Sequence, residues 1–310
     1  MPTIDQLNKP YPDGPRRGNR RAPWSKKPVS WKDDTTGDAM VSVVFTWDLP
    51  RAKTICSWWA AAGYYVRAGG PAVRLQPQYL ADVADCSPGH TEALTRHNPL
   101  ATLTSRGCIR RCSFCAVPLL EGDLVELTDW TPRRIVCDNN LLACSRAHFD
   151  QVIDSLKQLH APKAYPIDFN QGLDLRLLTP YHADRLAELN CIPRMSLDHI
   201  SLIPVYMRAH SILRKAGFPK KRLATYVLIG YNDTPADALH RIKLVQRLGA
   251  NPYPMRFNPY DVLERDSYVG PNWTDDLLSS FMRYWTRLRY LGGIPFAEFV
   301  AGRRHAREAP

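Results

Sequence analysis

Long apolar runs are missing from this chain. Nothing approaches the ~18 consecutive apolar residues of a membrane span, and the longest candidate, Ala39 to Trp47, has the length of a strand. The N-terminus, MPTIDQLNKP, lacks an apolar h-region, so no signal peptide is expected. The cysteines are therefore expected in a reducing compartment, as thiols or metal ligands and not as disulfides. Acidic residues are in short supply: 30 against 41 basic ones, a net charge of +11 over 310 residues with histidine neutral. That excess points to an anionic partner, and nucleic acid is the commonest. Apolar residues are not scarce, and a share of 45% excludes disorder. At roughly 150 residues per domain, one large domain with appendages or two modest ones would fit, either able to bury a core.

Residues 1–40 have no apolar period. Gly14 to Lys32 holds Arg16, Arg17, Arg20, Arg21, Lys26, Lys27 and Lys32 and no acid, with Trp24 and Trp31 interleaved. It reads as a basic arm, a solvated tail or a nucleic-acid contact. Order is expected to begin at Val41. VSVVFTW is strand-like, Asp48 and Pro50 open a helix that Gly63 ends, and YYVRAGG is a second strand. Residues 41–98 thus read as a small β-α-β subdomain.

From Leu100 the rhythm changes. Strands are expected at 101–105, 134–138, 164–170, 191–197, 223–230 and 253–258, with helices near 146–159, 180–189, 204–216 and 235–248. The last helix is best marked: Thr234 caps it, Pro235 is its first residue, Asp237 completes a capping box and Gly249 stops it. Leu239, Ile242, Val245 and Leu248 form its expected buried stripe. Strand and helix alternating at about 30-residue spacing imply parallel βα units. The natural closure over 99–262 is a partial (β/α)6 barrel with its site at the C-terminal strand ends. Residues 263–310 read as a basic amphipathic helix, Thr274 to Leu291, and a tail with Arg303, Arg304 and Arg307.

The chemistry concentrates in Thr104-Ser105-Arg106-Gly107-Cys108-Ile109-Arg110-Arg111-Cys112-Ser113-Phe114-Cys115. Three thiolates at C-x3-C-x2-C, in a loop directly after the first expected barrel strand, suit a soft metal centre. Structural zinc would want a fourth ligand nearby and usually a second C-x2-C pair. A [4Fe–4S] cubane held by three cysteines leaves one iron open to a cosubstrate.

These residues resemble the radical S-adenosylmethionine (SAM) superfamily, whose signature is C-x3-C-x-φ-C with an aromatic φ, filled here by Phe114. The resemblance is most specific at 104–118 and covers 101–260 in its βα rhythm. It implies that Cys108, Cys112 and Cys115 hold the cluster and that SAM chelates the open iron. The cluster reduces SAM, an electron donor such as flavodoxin feeds it, and the resulting 5′-deoxyadenosyl radical takes a hydrogen from substrate. The end of the second strand, where the family binds the SAM amino group, holds Asp138-Asn139-Asn140 in place of Gly-Gly-Glu. By position, Gln171 and Asp174 on the third strand, Ser196 and Asp198 on the fourth, and Ile229 and Gly230 on the fifth become SAM candidates. Arg176, Tyr231, Arg256 and Asn258 become substrate candidates.

Further absences narrow the subfamily. No cysteine follows Cys191, so no C-terminal auxiliary cluster is expected. Only Cys56 and Cys86 precede Cys108, short of the three that methylthiotransferases need, and no Asp-x-His-x-x-Gly cobalamin motif is present. The chemistry implied is single-cluster hydrogen abstraction or rearrangement. Charge points the radical at nucleic acid, DNA before RNA: besides the arm, Ile200 to Arg222 holds Arg208, Arg214, Lys215, Lys220, Lys221 and Arg222 with no acid. Such a layout loosely resembles the small radical SAM proteins of phage DNA hypermodification, which rearrange an adduct on a thymine methyl. The expected location is the cytoplasm, the host's if the gene is a phage's. Two alternatives stay open: a radical SAM enzyme on a peptide or small metabolite, and a non-catalytic Fe–S or zinc protein that binds nucleic acid.

Overall fold

The computed structural model describes residues 24–25, 27–87, 93–159, 165–288 and 293–308, with 287–288 and 303–308 as backbone alone. It opens on a hairpin. β1 (Val29–Lys32) pairs antiparallel with β2 (Ala39–Ser42), Val29 opposite Ser42. Asp33 builds the turn, its carboxylate accepting from the backbone N–H groups of Thr35 and Thr36 at 3.0 and 2.9 Å. Order therefore begins before Val41, and the expected arm is shorter than 1–40. The four residues V-S-W-K, set among basic neighbours, carry too little apolar length to read as a strand alone. Arg16, Arg17, Arg20 and Arg21 lie outside the described residues.

The expected β-α-β unit is present. α1 (Leu49–Ala61) carries the chain from β2 to the parallel strand β3 (Val66–Gly69). Leu49, Ala52, Ile55, Cys56 and Trp59 bury one helix face against Val41, Val43, Val66 and Ala68. The first strand is shorter than 41–47, because Thr46–Asp48 turn into a short 3-10 helix ahead of α1.

From Ala101 the chain alternates strands and helices. β4 (Ala101–Thr102) is followed by the short antiparallel pair β5 (Ser105–Arg106) and β6 (Val125–Glu126), so the expected strand 101–105 breaks after Thr102. Then come β7 (Ile135–Val136), α2 (Arg146–Lys157), β8 (Ile167–Phe169), α3 (Pro180–Ala187), β9 (Cys191–Ile192) and β10 (Arg194–Ser196). α4 (Ile203–Lys215), β11 (Ala224–Ile229), α5 (Pro235–Arg247) and β12 (Asn251–Arg256) complete the alternation. Two parallel sheets result, ordered β4-β7-β8-β9 and β10-β11-β12. Only Pro193 separates β9 from β10. Ile192 sits opposite Asp168 in β8, and Arg194 sits opposite Ala224 in β11. Proline has no N–H to give a ladder, so one stretch leaves the first sheet there and joins the second. The fold is mixed α/β, with parallel sheets and connecting helices.

Side chains alternate across these strands. Met195, Leu197, Val227 and Ile229 enter the core that α2 to α5 cover. The other face carries Asp168, Arg194, Tyr226 and Tyr253: Arg194 donates twice to Asp168 at 2.6 and 2.8 Å, and its guanidinium lies over the Tyr226 ring. On α5 the capping box of Thr234 and Asp237 is formed as expected. Its stripe differs, since Ala238, Arg241, Ile242 and Val245 are buried while Leu239 and Leu248 are only half-buried. α6 (Asp275–Arg283), capped by Thr274, runs into a π-helical turn through Leu288. α7 (Phe296–Glu308) takes up the residues expected as a basic tail. Among the described residues, no helix is long and apolar enough to cross a membrane.

Candidate functional site

Within each parallel sheet the strands end on one side, and most of the chemistry-bearing residues follow those ends. The cysteine loop follows β4 and is folded back as a small lobe. Gly107 adopts φ +70°, and a Cβ there would stand 2.0 Å from the Asp123 carbonyl oxygen, so only glycine fits. Its N–H donates to Glu121 at 2.8 Å, and Cys108 N–H donates to the Gly122 carbonyl at 3.2 Å. Glu121 also accepts from Asn139 Nδ2 at 2.7 Å and from Arg106. It organises the lobe, yet its local sequence, V-P-L-L-E-G, marks only a helical turn ending in glycine.

Behind the loop, the buried Asp138 at the end of β7 accepts from Thr104 N–H at 2.7 Å, from the Thr104 hydroxyl and from Ser105 Oγ at 2.8 Å. Burial pushes its carboxyl up, against the pull of those hydrogen bonds. Asp138 was expected to meet a ligand ammonium; here its carboxylate faces the chain that leads into the cysteines. Asn140, also buried, faces them directly: its Nδ2 lies 3.4 Å from Cys108 Sγ and 3.3 Å from Asp174, while its Oδ1 has no hydrogen-bond partner. Such an orphan acceptor calls for an explanation.

The three thiols share one environment. Burial pushes the Cys115 thiol up, the Val117 backbone hydrogen bond pulls it back, and Cys112, Cys108 and Asp198 add to the rise. Cys108 Sγ likewise accepts from the Arg110 N–H at 3.3 Å. The Arg176 guanidinium lies within electrostatic range of the Cys112 sulfur. Among the described residues, no three His, Cys, Asp or Glu side chains converge as a single metal ion requires. A cubane asks for something else: separate thiolates at separate iron corners, with N–H groups aimed at sulfur. In its donors to sulfur, the Arg110 N–H and the Asn140 amide on Cys108, the loop suits such a group.

Asp174 clamps the loop to the end of β8. It accepts from Arg110 Nε at 3.0 Å and Arg176 Nε at 2.6 Å. Burial would raise its carboxyl, but the two arginines outweigh burial and hold it below the ordinary range. Ser196 Oγ donates to Asp198 at 2.9 Å, and burial pushes the Asp198 carboxyl up. Phe114 meets Tyr231 edge to face at 5.8 Å, and Tyr231 packs on Phe257 at 4.6 Å, joining the cysteine loop to the ends of β11 and β12. Gln171 is exposed at the same end and Ile229 is fully buried. Gly230, at φ +80°, donates its N–H to Asp233.

Beneath these, Arg241 is fully buried. It donates to the carbonyls of Leu197 and Leu228, each at 2.8 Å, and pairs with Asp233, which also accepts from Trp273 Nε1 at 3.0 Å. One guanidinium thus ties the ends of β10 and β11 together. A basic residue inside an apolar helix stripe was its only sequence signal.

Several expected site residues do other work. Arg256 donates to Asp275 at 2.9 Å and to the carbonyls of Asp266 and Tyr268. Asn258 exchanges hydrogen bonds with Asp266, which is held at φ +61°. Both brace the segment after β12, whose backbone needs those donors. Lys220, Lys221 and Arg222 form a turn just before β11, at the opposite end of the strands from the cysteines. Arg222 bonds Asn190, and the Lys221 carbonyl accepts from Asn251. As a nucleic-acid contact they would lie away from the cysteine loop.

Compared with family models and with curated proteins, the chain matches none.

Proposed function

We propose that this chain is an enzyme of the radical SAM type that acts on a nucleobase within a nucleic acid. One observation carries the reading: a C-x3-C-x2-C loop after a parallel strand, its thiols in mutual electrostatic range and an unpartnered buried amide oxygen beside them. We read the two sheets, continuous through Pro193, as one partial (β/α)6 barrel. Contact between Phe114 and Tyr231 supports that curvature.

In this reading Cys108, Cys112 and Cys115 hold the cluster. When bound, it would supply the electron that splits SAM into methionine and a 5′-deoxyadenosyl radical. The chain's own residues bind and orient. Asn140 Oδ1 accepts from the SAM ammonium, as a buried unpaired acceptor requires. Asp174 keeps Arg110 and Arg176 positioned over the loop, with Arg176 able to meet a carboxylate. Ser196 and Asp198 offer hydrogen bonds to ribose hydroxyls, and Tyr231 with Phe114 walls the adenine side against water. The nucleic-acid substrate rests on the net charge of +11.

Anaerobically reconstituted protein, given SAM and a low-potential reductant, should release 5′-deoxyadenosine and methionine. An intact cluster that releases neither would contradict the reading.

A further inference from the structure

At the seam between the N-terminal unit and the segment after β12, two large rings stack, Phe45 exposed and Trp47 half-buried. Phe45 and Trp47 stack at 4.5 Å with planes 8° apart, and Phe45 is 43% exposed. Exposed aromatics ordinarily fold inward. Phe45 is held out because Thr46, between the two rings, is buried and donates its hydroxyl to the Val262 carbonyl at 2.5 Å. Gln76 donates to the neighbouring Asp261 carbonyl at 2.6 Å, pinning the same seam. Asp261 and Val262 follow the C-terminal end of β12, so the rings stand at the cysteine end of the strands.

Cations surround them. The Arg265 guanidinium lies over the Trp47 ring, 6.0 Å from its centroid, and its side chain is 63% exposed. Arg51, Arg265 and Lys27 all act on Asp48, which is half-buried beside the rings. Arg265 also pairs with Asp266 at 3.5 Å, so three cations stand against two acids and leave one positive charge in excess, and no acid follows Lys27 in the sequence before Asp33.

We propose that Phe45 and Trp47 form a stacking platform for an unpaired base of a nucleic-acid strand, with Arg265 and Arg51 taking the adjoining phosphates. A flat ring pair with an open outer face accepts any base, and flanking cations track the backbone. A base can add to such a stack only when it has left its own, so the platform selects single-stranded or locally opened substrate. An acidic peptide would use the cations but leave the rings idle. The inference rests on the nucleic-acid part of the reading above and does not depend on cluster chemistry.

Fluorescence anisotropy of a labelled oligothymidine of about a dozen residues, with the full chain, tests it. Phe45→Ala should weaken binding roughly 5- to 100-fold, and Phe45→Trp should retain it. Arg265→Ala should reduce the salt slope by about one. Duplex of the same length should compete less well than the single strand. Three results would overturn the platform. Unchanged affinity in Phe45→Ala removes it while leaving a nucleic-acid substrate standing. Polyglutamate competing as well as oligothymidine makes the patch a docking site for acidic protein. No binding by the wild-type chain removes both the platform and the nucleic-acid substrate.

Discussion

The two ends of the parallel strands differ in how many polar groups they bury. At the C-terminal ends, polar groups are buried in costly arrangements: a fully buried Arg241, a carboxylate clamp at Asp174, and unpartnered polar atoms on Asn140, Arg241 and Arg256. At the N-terminal ends, Lys220 to Arg222 make a turn whose backbone is capped and whose side chains reach solvent or pack on neighbours, and among the described residues a single unpartnered buried atom, His210 Nε2, lies close by. The Lys220 stem covers Gly249, where a Cβ would stand 2.5 Å from it. By charge density alone the second end looks the more functional. Burial reverses that order, because a protein keeps unpaired or buried polar groups only where something holds or uses them.

That contrast can be broken by substitution. Arg241→Ala should have the largest effect, costing about 3–5 kcal/mol in chemical denaturation, since it strands Asp233 and frees two buried carbonyls. A loss below ~1 kcal/mol would mean that the staple does not matter. Asp174→Asn should cost less, about 1–2 kcal/mol, because Arg176 is partly exposed. This effect depends on pH. The folded carboxyl titrates below its ordinary value of 3.8, so its contribution is full above that value and disappears as pH falls through the folded one. The difference in melting temperature between wild type and Asp174→Asn should therefore shrink on acidification below 3.8; a constant gap would argue against the clamp. Lys221→Ala should change stability by no more than ~0.5 kcal/mol and leave iron content untouched. A loss of iron there would erase the distinction between the two ends.

Much of this was legible from the chain itself. The α5 capping box, the βα alternation and the placement of the cysteine loop after a parallel strand follow from local signals at Thr234, Pro235 and Gly249 and from apolar spacing. What was not legible is long-range. Pro193 reads as a residue within one strand, and only the pairing of its neighbours with different partners reveals a handover between sheets. Arg256 and Asn258 have the right residue types and strand position for a ligand site, yet local backbone donors and acceptors after β12 claim them. Asp138 sits at the right place and turns the other way, because two hydroxyls and an N–H from 104–105 reach it first. Glu121 was invisible, since its partners at 106, 107 and 139 converge only once the loop folds back.

The central claim is that the three thiols at the C-terminal strand ends hold one iron–sulfur cluster. Iron and acid-labile sulfide, measured on anaerobically reconstituted protein, test it most directly. Wild type should hold about four of each per chain, with a broad visible absorption that a reductant bleaches. Cys112→Ala should lose them while keeping its fold by circular dichroism. A folded wild-type chain that takes up no iron, or binds a single zinc ion through these cysteines, would contradict the account.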